Sequence, residues 1–436
     1  MSGNSTSSPS TNDASAPSAG DMAYVRRSGQ SRGNTWVIAA VVIVVVIALV
    51  VGGGYYAGLW GKAKPSPNNN GCTTNCTKAA FKIPCGSLTA AGSTFVYPLM
   101  AVWASDVAGL PCNSTNSGGA SSAQVNYQPV GSGTGVTDLT QKLVDIGASD
   151  APLTTTQTNA LPGPVVTLPD SAGAVSVIYN LKVTNSAGTV VPLNLSGSVI
   201  AQIFQENITV WNNSAITALN PGSKIPGTPI VIEHRSDGSG TTFAFTSYLS
   251  LESNYWKGKY GAATAINWPA GSFGQKGSEG VAGAVASTAG AIGYDELNYA
   301  QEEGLNVASA AVQNPSGAYI VPTVADTQLA IASAASFPSP TGSWQNFTVL
   351  NAAVAGAYPI ATFTYLMVYT DVGKVYGSSI TQVQAQELVS FLWWITHTGQ
   401  NASAGLFYVP LPHSVIAVDE AAIADIFYNG VALQSH

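Results

Sequence analysis

Residue types that could bind an anion recur along this sequence. The stretch VGSGTGVTDLTQKLVDIGASD, residues 130–150, begins with glycines and Ser132 before a predicted helix and ends on the carboxylate of Asp150. Glycine and hydroxyl residues before a helix present free backbone N–H groups and hydroxyls to an anion. One α/β unit therefore contains both an anion-binding segment and a negative charge, and one chemistry must account for both.

Two further stretches have the same composition, AGSTF at 91–95 and RSDGSGTTFAFTSYL at 235–249. Each alone is also typical of a helix N-cap or a turn. The GSGTG stretch lacks the glycine spacing and the following acidic residue of a dinucleotide-binding motif, and a phosphate-binding P-loop would need a Gly-Lys-Ser/Thr ending. The sequence thus indicates anion binding without a nucleotide motif.

Arg235 makes the third stretch the most specific. Its guanidinium can form two parallel hydrogen bonds to a tetrahedral oxyanion, and Asp237 can orient it from the other side. The alternative is a surface ion pair beside a helix cap. A hydrolase with Ser239 as nucleophile is disfavoured, because the G-x-S-x-G elbow has Asp237 in place of its first glycine, and because strand alternation points His234 away from Arg235.

Asp150 is expected at the carboxyl edge of a sheet, close to the GSGTG segment. A fully ionised sulfate there would meet a like charge with no proton to share, whereas a phosphate that keeps one proton can donate it to the carboxylate. Asp150 therefore predicts selection of a protonated oxyanion. The alternative is that it caps a helix beginning in the APLTTTQ segment.

Composition limits the classes of partner. Only 8% of the 436 residues are charged and the net charge is −7, whereas an ordinary soluble domain has roughly 25% charged residues. No basic patch with interleaved aromatic residues is present, so nucleic acid is not an expected partner. The polar, mostly neutral composition suggests an acidic or hot exterior.

The N-terminal region predicts attachment to a membrane. Residues 1–35 are poor in apolar residues and are expected to be disordered, whereas residues 36–60 form an apolar run long enough to cross a bilayer. Basic residues just before this run place the N-terminus inside the cell: Arg26, Arg27 and Arg32. The alternative is prepilin-like cleavage after Gly33, which keeps the apolar helix. Residues 61–86 read as a linker.

The cysteines and asparagines agree with an extracellular location. Four cysteines predict up to two disulfides with the pairing left open: Cys72, Cys76, Cys85 and Cys112. No histidine lies near them, so neither zinc nor another cofactor is expected. Several N-x-S/T triplets fit a glycoprotein: Asn75, Asn113, Asn194, Asn207, Asn212, Asn346 and Asn401.

After about residue 87 strand and helix patterns alternate, which predicts an α/β layered fold. The predicted strands include residues 87–91 and the segments QVNYQPV, DIGASD, GAVSVIYN, IPGTPIVIEHR, AGAIGYDELNYA and PIATFTYLMVYT. The predicted helices include residues 98–107 and the segments VTDLTQKLV, SVIAQIF, TTFAFTSYLSL, TQVQAQELVSFLWWI and VIAVDEAAIADIFY. The GSGTG segment is predicted to be a loop.

Four motifs, in order and spacing, resemble the phosphate-binding protein of the high-affinity phosphate ABC transporter, a PstS-like substrate-binding family. They are LTAAGSTFVYPLMAVWA, VNYQPVGSGTGVTDLTQKLVDIGASDAPL, RSDGSGTTFAFTSYLS and GSEGVAGAVASTAGAIGYDELNYA. The resemblance implies a non-enzymatic protein that binds inorganic phosphate outside the cell and delivers it to permease subunits. It covers the chain from about residue 87 onward, in what is expected to be an archaeal, membrane-tethered version.

The resemblance also implies the ligands of the phosphate. They are the hydroxyl of Thr94, the backbone N–H of Phe95, Ser132, Asp150 as acceptor of the phosphate proton, Arg235, Ser239, Gly240 and Thr241, with Asp237 orienting Arg235. Two departures from the usual family pattern are Ser93 in place of alanine and Val96 in place of proline, and neither removes a ligand.

The implied fold is a type II periplasmic-binding-protein fold, in which two α/β domains close over the ligand. Domain I would comprise residues 87–170 and 358–436 and domain II residues 171–357, joined by crossover strands near 170–173 and 357–358. Two other functions are compatible with the same sequence. The protein would then be a surface or pilus-like structural protein, or a phosphatase or other hydrolase.

Overall fold

The structure of the chain is a computed structural model, and it describes residues 81–113, 122–302 and 307–433. The predicted disordered segment, the apolar helix over 36–60 and most of the linker lie outside these ranges. Within them, no helix combines the length and the apolar character needed to span a bilayer.

Short strands flank a few long ones. The strands are β1 (Ile83–Pro84), β2 (Gly86–Gly92), β3 (Cys112–Asn113), β4 (Ala123–Gln128), β5 (Ile146–Ser149), β6 (Val165–Tyr179), β7 (Asn194–Leu195), β8 (Val231–Arg235), β9 (Phe273–Gln275), β10 (Ala291–Glu296), β11 (Ala308–Ser309), β12 (Ala311–Gln313), β13 (Tyr319–Ile320), β14 (Ala361–Tyr369), β15 (Phe427–Tyr428) and β16 (Val431–Ala432).

Helices separate most of the long strands. They are α1 (Tyr97–Ala108), α2 (Ser132–Thr140), α3 (Thr155–Ala160), α4 (Gly197–Phe204), α5 (Ser214–Thr217), α6 (Gly240–Glu252), α7 (Asn254–Lys259), α8 (Gly277–Ser287), α9 (Leu297–Glu302), α10 (Val324–Ala332), α11 (Val372–Tyr376), α12 (Gln382–Thr396) and α13 (His413–Ala424), with 3₁₀ turns at Gly377–Ser379, Thr398–Ala402 and Ala404–Leu406. This alternation confirms the predicted α/β class.

Among the described residues, nine strands form the central sheet, in the order β4-β2-β5-β14-β6-β10-β8-β9 with β11 also paired to β6. The remaining described strands form three small sheets, β1-β3, β13-β12-β7 and β15-β16. Strands β4, β2 and β5 pair in parallel, and we call them the first half. Strands β10, β8 and β9 also pair in parallel, and we call them the second half. Antiparallel strands β14 and β6 lie between the halves.

The long strand β6 is the main link between the halves. All 15 of its residues are buried, which explains its nearly continuous apolar sequence. It pairs with β14 up to Ala174 and with β10 from Val175 onward. Its register with β14 shifts where Pro169 and Ser171 face consecutive residues of β14, so Asp170 occupies a bulge, where a neighbouring proline is tolerated.

Two predicted elements need correction. The GSGTG segment is not a loop, because α2 already begins at Ser132 and only Gly131, with φ +93°, precedes it. The AGAIGYDELNYA segment is not one strand, because β10 ends at Glu296 and α9 follows directly. The start of α2 was missed because glycines are typical of loops. The end of β10 was missed because its mixed apolar run is compatible with a strand or a helix.

A disulfide fixes the start of the folded region. Cys85 and Cys112 form a disulfide with an S–S distance of 2.00 Å, beside the paired strands β1 and β3. Strand β1 lies inside residues 61–86, the predicted linker, so the folded part begins earlier than the sequence pattern indicates. Cys72 and Cys76 lie outside the described residues.

The predicted glycosylation sites differ in accessibility. Four of the asparagines are exposed: Asn207, Asn212, Asn346 and Asn401. Asn194 is half-buried, and its side-chain amide donates to the Leu219 carbonyl at 3.3 Å, so folding would compete with modification there. Asn75 lies outside the described residues.

Candidate functional site

The predicted site residues come from the ends of strands in both halves of the sheet. In the first half, Ser93 to Phe95 connect β2 to α1, Ser132 begins α2 and Asp150 follows β5. In the second half, Arg235 ends β8, and the following turn leads into α6. Parallel strands bring their carboxyl ends to one edge, so residues far apart in sequence meet there. Seven of the residues predicted to bind phosphate are among the buried residues of the fold: Thr94, Phe95, Ser132, Asp150, Arg235, Ser239 and Thr241.

Backbone contacts join the two glycine-rich segments. The N–H of Gly133 donates to the carbonyl of Gly238 at 2.8 Å, and the N–H of Gly240 donates to Ser132 Oγ at 3.0 Å. Gly131 adopts a left-handed conformation against Asp237, where a side chain would collide with the carboxylate. The N-termini of α2 and α6 therefore meet at one place, where the positive ends of both helix dipoles favour an anion.

Arg235 is held in a fixed orientation by Asp237. Its Nε donates to Oδ1 at 2.8 Å and its Nη2 to Oδ2 at 2.6 Å, and Asp237 also accepts the N–H of Gly277 at 3.1 Å. Burial opposes the charge of Arg235, but the hydrogen bonds and charge of Asp237 outweigh it and raise the pKa of Arg235. The same pairing lowers the pKa of Asp237 against the effect of its own burial. This is a buried bidentate pair, not an exposed ion pair beside a cap.

Ser278, at the start of α8, joins the two halves and was not predicted. Its Oγ lies 2.7 Å from Thr94 Oγ1 and accepts from Arg235 Nη1 at 3.1 Å. Ser278 is fully buried. The signal was present in the sequence, since Gly277 and Ser278 precede a helix in the same manner as the other three stretches.

Asp150 is a buried hydrogen-bond acceptor. Ser93 Oγ donates to its Oδ1, and Ser132 Oγ lies 3.4 Å from its Oδ2. Burial, followed by the charge of Glu296, raises the pKa of Asp150 to about 7, whereas Ser93 and Arg235 lower it. Asp150 does not cap a helix, because the N-cap of α3 is Thr154.

The start of α6 carries Ser239 and Thr241. Ser239 Oγ caps the helix by accepting the N–H of Thr242 at 3.2 Å, and Thr241 Oγ1 donates to Oε1 of Glu296. Glu296 was also missed by sequence reasoning. Its Oε2 is buried and has no hydrogen-bond partner among the described residues, so a further donor at this point would be stabilised.

The arrangement offers binding groups without an evident catalytic set. The His234 ring stacks on Trp268 with centroids 4.6 Å apart, and its Nδ1 lies 2.9 Å from the Arg235 carbonyl oxygen. These contacts occupy the histidine that lies nearest to Ser239 in sequence. Within residues 81–113, 122–302 and 307–433, no group of three or more potential metal ligands forms. One guanidinium, several hydroxyls and two helix N-termini near the carboxylate of Asp150 suit an oxyanion that carries a proton.

Comparison with curated proteins gives relatives over most of the chain. The profile described as PBP superfamily domain matches residues 73–396. The phosphate-binding protein PstS of Xylella fastidiosa (strain Temecula1 / ATCC 700964) is 35% identical over 341 residues, which cover 78% of this chain and 85% of that protein. The phosphate-binding protein PstS of Methanocaldococcus jannaschii is 34% identical over 316 residues, covering 69% and 78%.

Solved structures show the same fold. A high-affinity periplasmic phosphate-binding protein (PfluDING), bound with phosphate, matches with a TM-score of 0.57 at 21% identity, covering 77% of this chain and 93% of that one. The phosphate-binding protein of Stenotrophomonas maltophilia matches with a TM-score of 0.54 at 18% identity over the same shares of 77% and 93%. The sequence matches, with the periplasmic-binding-protein fold, make the assignment: the chain belongs to the PstS family of phosphate-binding proteins within the PBP superfamily.

Proposed function

We propose that this chain binds inorganic phosphate outside the cell and delivers it to the permease subunits of a phosphate ABC transporter. The observation that carries the proposal is the position of Asp150, a buried acceptor among donors from both halves of the sheet. A phosphate that retains one proton satisfies both kinds of group, since its oxygens accept and its hydroxyl donates. The names of the PstS relatives agree with this ligand.

Each site residue then has a defined role. Arg235 forms the bidentate contact while Asp237 keeps its guanidinium plane fixed. Asp150 accepts the phosphate proton. The remaining proposed donors to the phosphate oxygens are Thr94 Oγ1, the Phe95 N–H, Ser132 Oγ, Ser239 Oγ, the Gly240 N–H and Thr241 Oγ1. Binding would require Thr241 to release Glu296 and the two N–H groups to release Ser93 and Ser132.

Opening and closing of two domains would admit the ligand. We assign domain I to residues 87–170 and 358–436 and domain II to residues 171–357, because β6 and β14 are the strands that connect the two halves. The site residues are nearly inaccessible to solvent, so phosphate must enter while the halves are apart. Binding and closure involve no chemical change of the ligand, in contrast to a phosphatase.

Charge-assisted hydrogen bonds supply the affinity. Each contributes roughly 1.5–3 kcal/mol in a site from which water is excluded. Several of them can offset the costs of desolvation and closure, which gives a dissociation constant of about 1 μM or lower, equivalent to about 8 kcal/mol.

The chain would act while tethered to the membrane through residues 36–60, with the binding domains on the extracellular side. The arginines before this run favour an internal N-terminus, and processing after Gly33 would keep the apolar helix. The disulfide fits an oxidising exterior. The exposed asparagines Asn207, Asn212, Asn346 and Asn401 are the proposed positions for glycans.

Calorimetric titration of the full chain in detergent with phosphate and with sulfate tests the proposal. We expect phosphate to bind and sulfate to be rejected at a pH of about 8, above the pKa of about 7 of Asp150, and we expect Asp150→Asn to bind sulfate because an amide can donate to it. Asp106→Asn is the matched control, since Asp106 is exposed on α1. Absence of phosphate binding would favour a structural role, and turnover of a phosphate monoester that is lost in Ser239→Ala would favour a hydrolase.

A further inference from the structure

Ser93 has an unusual position between two of the proposed phosphate-binding groups. Its Oγ accepts the N–H of Phe95 at 2.9 Å and donates its proton to Asp150 Oδ1. The serine is fully buried. One hydroxyl therefore contacts the backbone donor and the carboxylate acceptor that are proposed to face the phosphate.

The backbone of Ser93 is fixed on both sides. Its N–H donates to the Ala148 carbonyl of β5 at 3.0 Å, and its carbonyl accepts from the hydroxyl of Tyr127 on β4 at 2.6 Å. The side chain is therefore held by the two strands that flank β2, and the direction of its hydroxyl is determined by the fold.

We propose that Ser93 is a specificity-determining residue, whose hydroxyl holds Asp150 as an acceptor toward the ligand and thereby maintains the rejection of fully ionised oxyanions. This inference rests on the proposed function. Because Ser93 uses its only proton on Oδ1, the other carboxylate oxygen is left to receive the proton of the ligand. A protonated Asp150 would instead donate a hydrogen bond, and a sulfate oxygen can accept it.

The groups around Asp150 make this hydroxyl decisive. Glu296 of β10 faces Asp150 and favours its protonation, while Arg235 of β8 disfavours it. The charge of Asp150 in turn raises the pKa of Asp170 on β6, in addition to the larger effect of burial. Burial and the charge of Asp150 thus both favour the neutral form of Asp170.

Two phenols complete these surroundings. Burial, and then the charge of Asp150, raises the pKa of Tyr127 on β4 and of Tyr365 on β14. Both remain uncharged, so they do not alter the balance. The pKa of Asp150 is thus set between burial with Glu296 on one side and Ser93, Thr364 and Arg235 on the other. Arg235 is also needed for binding, whereas Ser93, which has the largest lowering effect of the three, can be changed without removing a proposed ligand.

The test compares the wild-type chain with Ser93→Ala and Ser93→Thr. Phosphate affinity and the inhibition constant of sulfate are measured by calorimetric competition from about pH 5 to about pH 9. In the wild type we expect sulfate competition to begin as the pH falls through the pKa of Asp150, which is about 7. In Ser93→Ala the onset should move upward by about one pH unit, a change of about 10-fold in the relative affinity for sulfate at a given pH within that range.

Ser93→Thr keeps the hydroxyl and should restore the wild-type profile. Thermal unfolding identifies a variant that fails to fold. A loss of packing alone would weaken phosphate and sulfate binding together and leave the onset where it is, so superimposable pH profiles for wild type and Ser93→Ala would overturn the inference.

Infrared spectroscopy gives a readout that does not need a ligand. The carbonyl band of protonated Asp150 is identified by subtracting the spectrum of Asp150→Asn, which removes the bands of the other buried carboxyls. We expect this band to persist to higher pH in Ser93→Ala than in the wild type, and titration at the same pH in both contradicts the inference. If neither chain binds phosphate, the proposed function fails while this spectrum still decides the role of Ser93.

Discussion

Gly240, the first residue of α6, lies directly against Asp150. A Cβ atom at Gly240 would stand 2.5 Å from Asp150 Cβ and 2.6 Å from both its Cα and its backbone nitrogen. The same glycine donates its N–H to Ser132. The contact between the N-terminus of α6 and the end of β5 thus depends on the absence of a side chain at this position.

Gly240→Ala should therefore weaken phosphate binding. The added methyl group forces α6 away from Asp150, at a cost of about 1–3 kcal/mol, equivalent to about 5- to 150-fold in affinity. Gly283→Ala in α8 is the matched control, since nothing lies within 4 Å of its Cβ position. Calorimetry should show lost affinity only in Gly240→Ala, and equal affinities in both variants would contradict the close approach.

Arg235→Lys should reduce phosphate affinity although it keeps the charge. Arg235 is the only arginine after residue 32, and lysine can form neither the pair of bonds to Asp237 nor a bidentate contact with phosphate. The expected loss is about 2–3 kcal/mol, or roughly 30- to 150-fold, in a phosphate titration. Wild-type affinity in a variant that folds normally would show that a point charge suffices.

Removing the disulfide by the double substitution Cys85→Ser and Cys112→Ser should lower stability without changing phosphate affinity. The bridge closes a loop with a sequence separation of 27 residues, for which loop-closure entropy predicts a loss of about 3–4 kcal/mol. Thermal unfolding with and without reductant measures the effect, and wild-type treated with reductant should approach the variant. Unchanged midpoints would mean that the denatured chain is not constrained by this bridge.

Stability should increase as the pH falls from about 8 to about 4. Burial raises the pKa of Glu387 from 4.5 to about 8 and that of Asp150 from 3.8 to about 7, and it also raises those of Asp170 and Asp419. Because these folded-state values lie above the unfolded ones, folding takes up protons between them. Their contribution to the free energy of unfolding is largest below the unfolded values and is lost as the pH rises through the folded ones.

Chemical denaturation at several pH values measures this dependence, for which we expect a gain of roughly 2–4 kcal/mol at acidic pH. Glu387→Gln is the informative variant. Glu387 Oε1 accepts the N–H of Gln124 at 3.3 Å, and a glutamine can still accept that bond while it cannot titrate. The variant should show a flatter pH dependence, and a dependence as steep as that of the wild type would assign the effect to other groups.

Much of the site was predictable because its residues lie in local motifs. A glycine and a hydroxyl residue before a helix are neighbours in space as well as in sequence. The same holds for an arginine two positions before an aspartate. The Arg235–Asp237 pair joins residues only two positions apart, and the α/β class follows from strand and helix periods. Asp150 was recognised because its charge conflicts with an anion-binding segment.

The sequence by itself thus determined the α/β fold class, and it predicts the anion-binding segments and a proton on the ligand, because each depends on short-range patterns. Tertiary structure decided which distant groups meet. Ser278 reaches Thr94 across a separation of 184 residues, and Glu296 reaches Thr241 across 55. The environment that sets the pKa of Asp150 also arises only when both halves bury it, since desolvation and charge act through space and not along the chain.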